Sequence, residues 1–269
     1  MTTSLLTSAG LSRLVGVFGL LVFALVGALG PLVVDPPSVQ LARDLAAPTA
    51  ATPLGWGELG VPVHAALIWG ARGALVVGCA VTAVTTVMSV GLALLCALGS
   101  RLIRRLILRL SEMTLAFPSL LLAIALAALL PPSTISVVVA LACSAWASPL
   151  QVLVPLADRI VGSDAIVAAT TLGASRWRIS VRHLWPLLLP TVLVQASQQL
   201  GAAVVGEASL AFVGLSSPPL SPPFFSSWGA LLDDGLALSL AAPHVWGPPA
   251  ACVCAVAVCA QLAVFSRRP

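Results

Sequence analysis

Apolar runs long enough to cross a bilayer recur six times along this chain, and no other feature constrains its fold as strongly. They fall at roughly 14–34, 73–99, 111–130, 134–155, 187–213 and 244–265. A helix needs about 20 apolar residues to span the hydrocarbon core. Mean hydropathy is +1.07. Charged residues make up 8% of the chain, against about 25% in ordinary soluble domains. Lipid offers no partner to an exposed backbone amide, so such runs read as helices. Six spans and their loops nearly use up 269 residues, which leaves no separate soluble catalytic domain. The expected fold class is all-α integral membrane, with six transmembrane helices.

Charge orients the spans. The chain has no lysine, and its arginines divide unevenly between the two sides. Arg13, Arg101, Arg104, Arg105, Arg109, Arg159, Arg176, Arg178, Arg182, Arg267 and Arg268 share one side. Only Arg43 and Arg72 fall on the other, with Asp35, Asp44, Glu58, Asp233 and Asp234. The positive-inside rule places both termini and the 100–110 and 156–186 loops in the cytoplasm. The net charge of +4 follows from this topology and gives no support to nucleic-acid binding. Residues 1–30 do not read as a cleaved signal peptide, because the apolar stretch after Arg13 is too long for an h-region. The organisation expected is an N-terminal transmembrane helix (1–34), an external loop (35–72) and a five-helix core (73–265). That core carries a cytoplasmic loop at 156–186 and an external loop at 214–243.

The segment from Ser163 to Pro186 stands out as a polar, arginine-bearing stretch between two apolar runs. Ser163 or Asp164 is placed to N-cap a short helix, and Gly173 to end it in a left-handed conformation. Between them Ala168 and Ala169 are small enough for close approach by another protein. Such a structured, small-faced loop reads as a docking element.

This pattern resembles the cytoplasmic signature of permease subunits in binding-protein-dependent ABC importers. That signature runs Glu-Ala-Ala, three residues, Gly, then about a dozen residues to a Pro. Ala168, Ala169, Gly173 and Pro186 fall at matching places, while Val167 replaces the Glu. Leu54, Gly55, Gly60, Gly70, Ala71 and Arg72 resemble the motif before the second span in dipeptide, oligopeptide and nickel permeases. Ala116-Phe117-Pro118-Ser119 resembles their third span. Glu207, Leu210, Phe212, Gly214, Leu215, Pro218, Pro219, Ser227, Trp228, Gly229 and Gly235 match the end of the fifth span and the loop beyond it. The resemblance is to the second permease of dipeptide-type importers. It implies a type I ABC importer permease fold in the cytoplasmic (inner) membrane of a bacterium. It also implies a homologous permease as heterodimer partner, ATPase subunits (separate or fused) below, and an extracytoplasmic substrate-binding protein above. Ser163, Asp164, Ala168, Ala169, Gly173, Ala174, Arg176, Arg178 and Pro186 then form the ATPase-coupling segment. Trp228 and Gly229 belong to the external loop.

A Walker A loop needs a lysine on the phosphates. This lysine-free chain therefore carries no cofactor, and ATP and Mg reside on partner subunits. Gln195, Gln198 and Gln199 share one face of the fifth span at i, i+3 and i+4, with Glu207 further along. Polar groups inside a span face protein or a water path. Two readings stay open: a translocation path offering amides to a peptide backbone, or hydrogen bonding between helices. The six cysteines (79, 96, 143, 252, 254 and 259) all lie within spans and read as small packing residues. His64 and His244 lack carboxylate or cysteine partners, so no metal site is expected. His183 lies in the cytoplasmic loop. No nucleophile with a base appears, which disfavours an enzyme. A secondary transporter would show inverted repeats or a midplane acidic residue. The function expected is import of dipeptides or short peptides, with nickel, metal-chelate or haem import by the same family as the alternative.

The prolines predict breaks. Pro118 removes a backbone donor and kinks the third span, and Pro149 and Pro155 interrupt the fourth.

Overall fold

The computed structural model describes residues 2–50, 52–215, 227–237 and 242–264. Among them are eleven α-helices: α1 (Thr2–Val33), α2 (Val63–Leu98), α3 (Arg101–Leu115), α4 (Ser119–Leu129), α5 (Thr134–Ala145), α6 (Ala147–Val161), α7 (Asp164–Thr171), α8 (Arg176–Ile179), α9 (Trp185–Phe212), α10 (Trp228–Ala237) and α11 (Pro243–Leu262). Four continuous helical stretches are long and apolar enough to cross a membrane, at Gly10–Val33, Val63–Leu98, Arg176–Phe212 and Pro243–Leu262. Two bent pairs, α3 with α4 and α5 with α6, bring the number to six if each pair is one crossing.

The second span starts earlier than its apolar run. Helix α2 begins at Val63 rather than near residue 73, after Pro62 as its N-cap. Gly70, Ala71 and Arg72 therefore lie inside the helix rather than in the external loop. The chain before it is held by an isolated bridge between Trp56 and Pro62.

The third span is broken. The axes of α3 and α4 differ by 93° across Ala116, Phe117 and Pro118. Pro118 cannot donate to the preceding turn, and it pushes Phe117 out of the helical region. The fourth span bends by 45° between α5 and α6, at Trp146. Pro149 explains this bend, since its missing N–H leaves the Ala145 carbonyl unclaimed within the helix. Pro155, expected to interrupt this span, lies inside α6 without a break.

Three apolar clusters tie the bundle together. One joins α2, α6 and the loop helices through Cys96, Leu150, Leu153, Val154, Ile166, Ile179, Leu184 and Leu188. A second joins α1, α2, α9, α10 and α11 around Phe23, Leu67, Val204, Trp228 and Val256. The third joins α2, α4, α5 and α9 around Val77, Val81, Ala123, Leu141 and Leu210. Small residues set the closest helix approaches: Gly201 of α9 faces Ala257 and Ala260 of α11, and Gly16 of α1 faces Cys259 and Ala263. Close backbone approach of this kind drives helix association where no hydrophobic force operates.

The cysteines differ in part from expectation. Cys96 is buried as a packing residue, but Cys79, Cys143 and Cys254 are exposed on the helix surface. An outward thiol costs nothing in an apolar surround, so a span residue need not pack.

Candidate functional site: a core-anchored loop and a cavity between helices

Residues 163–184 fold into two short helices and a π-helical turn at Ser180–Leu184 that runs into α9. Ser163 occupies the N-cap position of α7, but its hydroxyl turns back and donates to the Ile160 carbonyl at 2.7 Å. Asp164 stands in the first turn, where a carboxylate complements the helix dipole. Gly173 ends α7 with φ of +81°. The Ala174 amide donates to the Ala169 carbonyl at 3.0 Å, and the Gly173 amide to that of Thr170 at 3.0 Å. This bond pair is the Schellman motif that a left-handed glycine makes possible. Ser175 then caps α8, accepting from the Arg178 amide.

The loop is fixed to the bundle from beneath. Ile166 and Ile179 are buried in the same cluster as Leu150 and Leu153, and Ala174 packs at its edge. Its outer surface is open and largely apolar. Val167, Leu172 and Trp177 are exposed, the last two at 88% and 77%. Ala168, Arg176, Arg178 and Pro186 are exposed as well, while Ala169 is half-buried. Pro186 belongs to the first turn of α9 rather than to the loop.

A cavity of about 520 Å³ opens between α4, α5, α9 and α11. Its polar lining is neutral: Ser119, Ser144, Gln199, Ser209 and Gln261 among small and aliphatic residues. Gln199 reaches it, yet is largely buried, and its Nε2 donates to the Ala145 carbonyl at 3.1 Å. That carbonyl is the one Pro149 leaves free, so Gln199 both lines the cavity and repairs the proline break. Gln195 and Gln198 are half-buried and are not among the lining residues. The lining role of Gln261, Ser119, Ser144 and Ser209 escaped the sequence reading. Each lies in a predominantly apolar run, and only tertiary packing brings them together.

Glu207 does not line this cavity. It is 2% exposed, on the stretch of α9 that packs against the start of α10. Its Oε2 has no hydrogen-bond partner among the described residues. Trp228 and Gly229, expected in an exposed loop, are instead packing residues. The Trp228 indole N–H donates to the Leu67 carbonyl at 2.9 Å, and its ring lies 5.6 Å from that of Phe23. A Cβ at Gly229 would collide with the Ala208 backbone. A Trp with a satisfied N–H buries a large apolar area, which draws α10 into the bundle. Pro218 and Pro219 lie outside the described residues.

A bidentate ion pair that the sequence reading missed joins α3 to α6. Arg104 Nη1 and Nη2 donate to Asp158 Oδ1 and Oδ2, both at 2.7 Å. Gln151 Nε2 donates to the Ser111 hydroxyl at 2.9 Å on the same interface. Among the described residues no cluster of three metal-ligating side chains forms. His244 instead contacts the Trp56 carbonyl at 3.3 Å.

The family described as binding-protein-dependent transport system inner membrane component matches residues 89–267. The chain belongs to this family. The match takes in α3 to α11, and so both the loop at 163–184 and the cavity. It is 31% identical over 209 residues to the probable D,D-dipeptide transport system permease protein of Escherichia coli, covering 75% of this chain and 66% of that one. Identity to the glutathione transport system permease protein of Pectobacterium atrosepticum is 30% over 206 residues, covering 74% and 64%. Identity to the dipeptide transport system permease protein of Alkalihalophilus pseudofirmus is 30% over 240 residues, covering 86% and 75%. The matched region thus spans just under two thirds of the first two relatives.

Proposed function

We propose that this chain is a permease subunit of an ATP-driven importer that carries dipeptides or other short peptides across the cytoplasmic membrane of a bacterium. It adopts the type I importer arrangement, with six crossings and both termini in the cytoplasm. It pairs with a homologous permease. ATP is hydrolysed on separate or fused ATPase subunits, because this lysine-free chain holds no Walker A loop. A soluble binding protein delivers cargo from outside.

The observation that carries this reading is the loop at 163–184. Its inner side is anchored by Ile166 and Ile179, and its outer side exposes Val167, Leu172 and Trp177. A rigid apolar projection continuous with a spanning helix suits the transfer of a partner's motion into the bundle. Exposed apolar surface of this kind marks an interaction site.

The cargo class rests on the cavity and on the relatives' names. Its neutral amides and hydroxyls suit a zwitterionic peptide backbone without trapping it. A metal-ion path would call for carboxylate, imidazole or thiolate donors, and the lining has none. The test is uptake by the assembled complex in proteoliposomes. Labelled dipeptide should enter in an ATP-dependent manner. Gln261→Leu should lower uptake several-fold while assembly persists. Uptake of nickel but of no peptide would reject the cargo class. Normal uptake by the variant would remove the cavity from the path.

A further inference from the structure

We propose that the groove between α1, α9 and α11 binds one anionic phospholipid, with its phosphate on Arg13 and an acyl chain along the apolar floor. The groove measures about 330 Å³ and is lined by Val17, Leu20 and Leu21 of α1, Leu193 and Val194 of α9, and Val264 beyond α11. Arg13 is its single charged lining residue. It is exposed, and it makes no hydrogen bond or ion pair among the described residues.

Depth and charge together select the occupant. Arg13 stands at the start of the first apolar run, and Leu21 lies eight residues further on. At about 1.5 Å per residue the groove runs roughly 12 Å along α1. That is less than half of a hydrocarbon core about 30 Å thick, so the groove lies within one leaflet. Its opening faces lipid, since the lining residues Leu21 and Leu193 are both more than half exposed. A phospholipid is the amphiphile that presents an acyl chain at this depth and an anion at its end. An arginine on an apolar stem reaches a phosphate at the interface by snorkelling, and guanidinium–phosphate hydrogen bonds are charge-assisted. Basic pockets between spanning helices hold anionic headgroups on the same grounds.

The experiment uses the full chain in nanodiscs of phosphatidylcholine with a minor fraction of phosphatidylglycerol, followed by native mass spectrometry of retained lipid. The native chain should retain phosphatidylglycerol in preference to phosphatidylcholine. Arg13→Gln should weaken this about tenfold, while Arg13→Lys should keep most of it. Leu193→Trp fills the groove from an exposed position and should displace the lipid with Arg13 intact. Arg159→Gln, an exposed arginine on α6, should change nothing. Equal retention of both lipids, or undiminished phosphatidylglycerol in Arg13→Gln, overturns the headgroup assignment. Undiminished binding in Leu193→Trp overturns the groove. A loss in Arg159→Gln as large as in Arg13→Gln reduces the effect to diffuse charge and overturns the site.

Discussion

Gly173 has open space around the position a Cβ would take, with nothing within 4 Å. Its requirement is therefore purely conformational: φ of +81° costs an ordinary L-residue about 1–2 kcal/mol. Gly173→Val should break the Ala174–Ala169 closure and turn Leu172 and Ala174 away from their places. Co-purification of ATPase subunits should fall while membrane insertion persists. Gly173→Asn should largely restore it, because Asn enters the left-handed region locally. A Val variant that co-purifies normally would separate this loop from docking. Gln199 poses a different residue-scale question, since one amide serves two roles. Gln199→Leu leaves the Ala145 carbonyl buried without a donor, which costs about 1–3 kcal/mol. The variant should show a lower melting temperature in detergent as well as reduced transport. Gln261→Leu should show only the second effect, because its side chain bonds to no helix break among the described residues.

At the scale of elements, the bends at 93° and 45° shape the cavity. Both bends place short helices, α4 and α5, side by side above a pair, α3 and α6, joined by polar contacts. The Arg104–Asp158 bridge locks that lower pair. Its side chains are 34% and 39% exposed, so solvent screens it and its contribution is about 1 kcal/mol or less. Arg104→Gln and Asp158→Asn should each lower stability by up to about 1 kcal/mol. The double variant should be no worse than the weaker single one, because the partners act as a unit. Thermal unfolding of the four proteins measures this. Strictly additive losses would show that each side chain acts through other contacts.

For the whole molecule the testable quantity is orientation. In a background with the native cysteines replaced, a cysteine at Pro132 should react with an impermeant thiol reagent from outside. One at Ser163 should react only after permeabilisation. The opposite pattern would invert the arginine-based topology and place the apolar loop surface where no ATPase could reach it. Replacement of Cys79, Cys143 and Cys254 should be well tolerated, since all three are exposed.

Hydropathy and charge alone fixed the class of this chain, because lipid permits few solutions and each apolar run must be helical. The Schellman stop at Gly173 and the sharp break at Pro118 were also legible, since both follow from local backbone chemistry. Pro155 was not, because the same residue is absorbed in one helix and breaks another according to the packing around it. Helix α2 overran its apolar run for a similar reason: Ala65, Ala66 and Leu67 are buried against neighbours that hydropathy does not see. Trp228 and Gly229 looked like loop residues until the Leu67 carbonyl and the Ala208 backbone showed what they pack against. The pairing of Arg104 with Asp158, the meeting of Gln199 with the carbonyl that Pro149 frees, and the convergence of Ser119, Ser144 and Gln261 join residues far apart in the chain. Such contacts depend on which helix faces meet, and only the tertiary structure decides that.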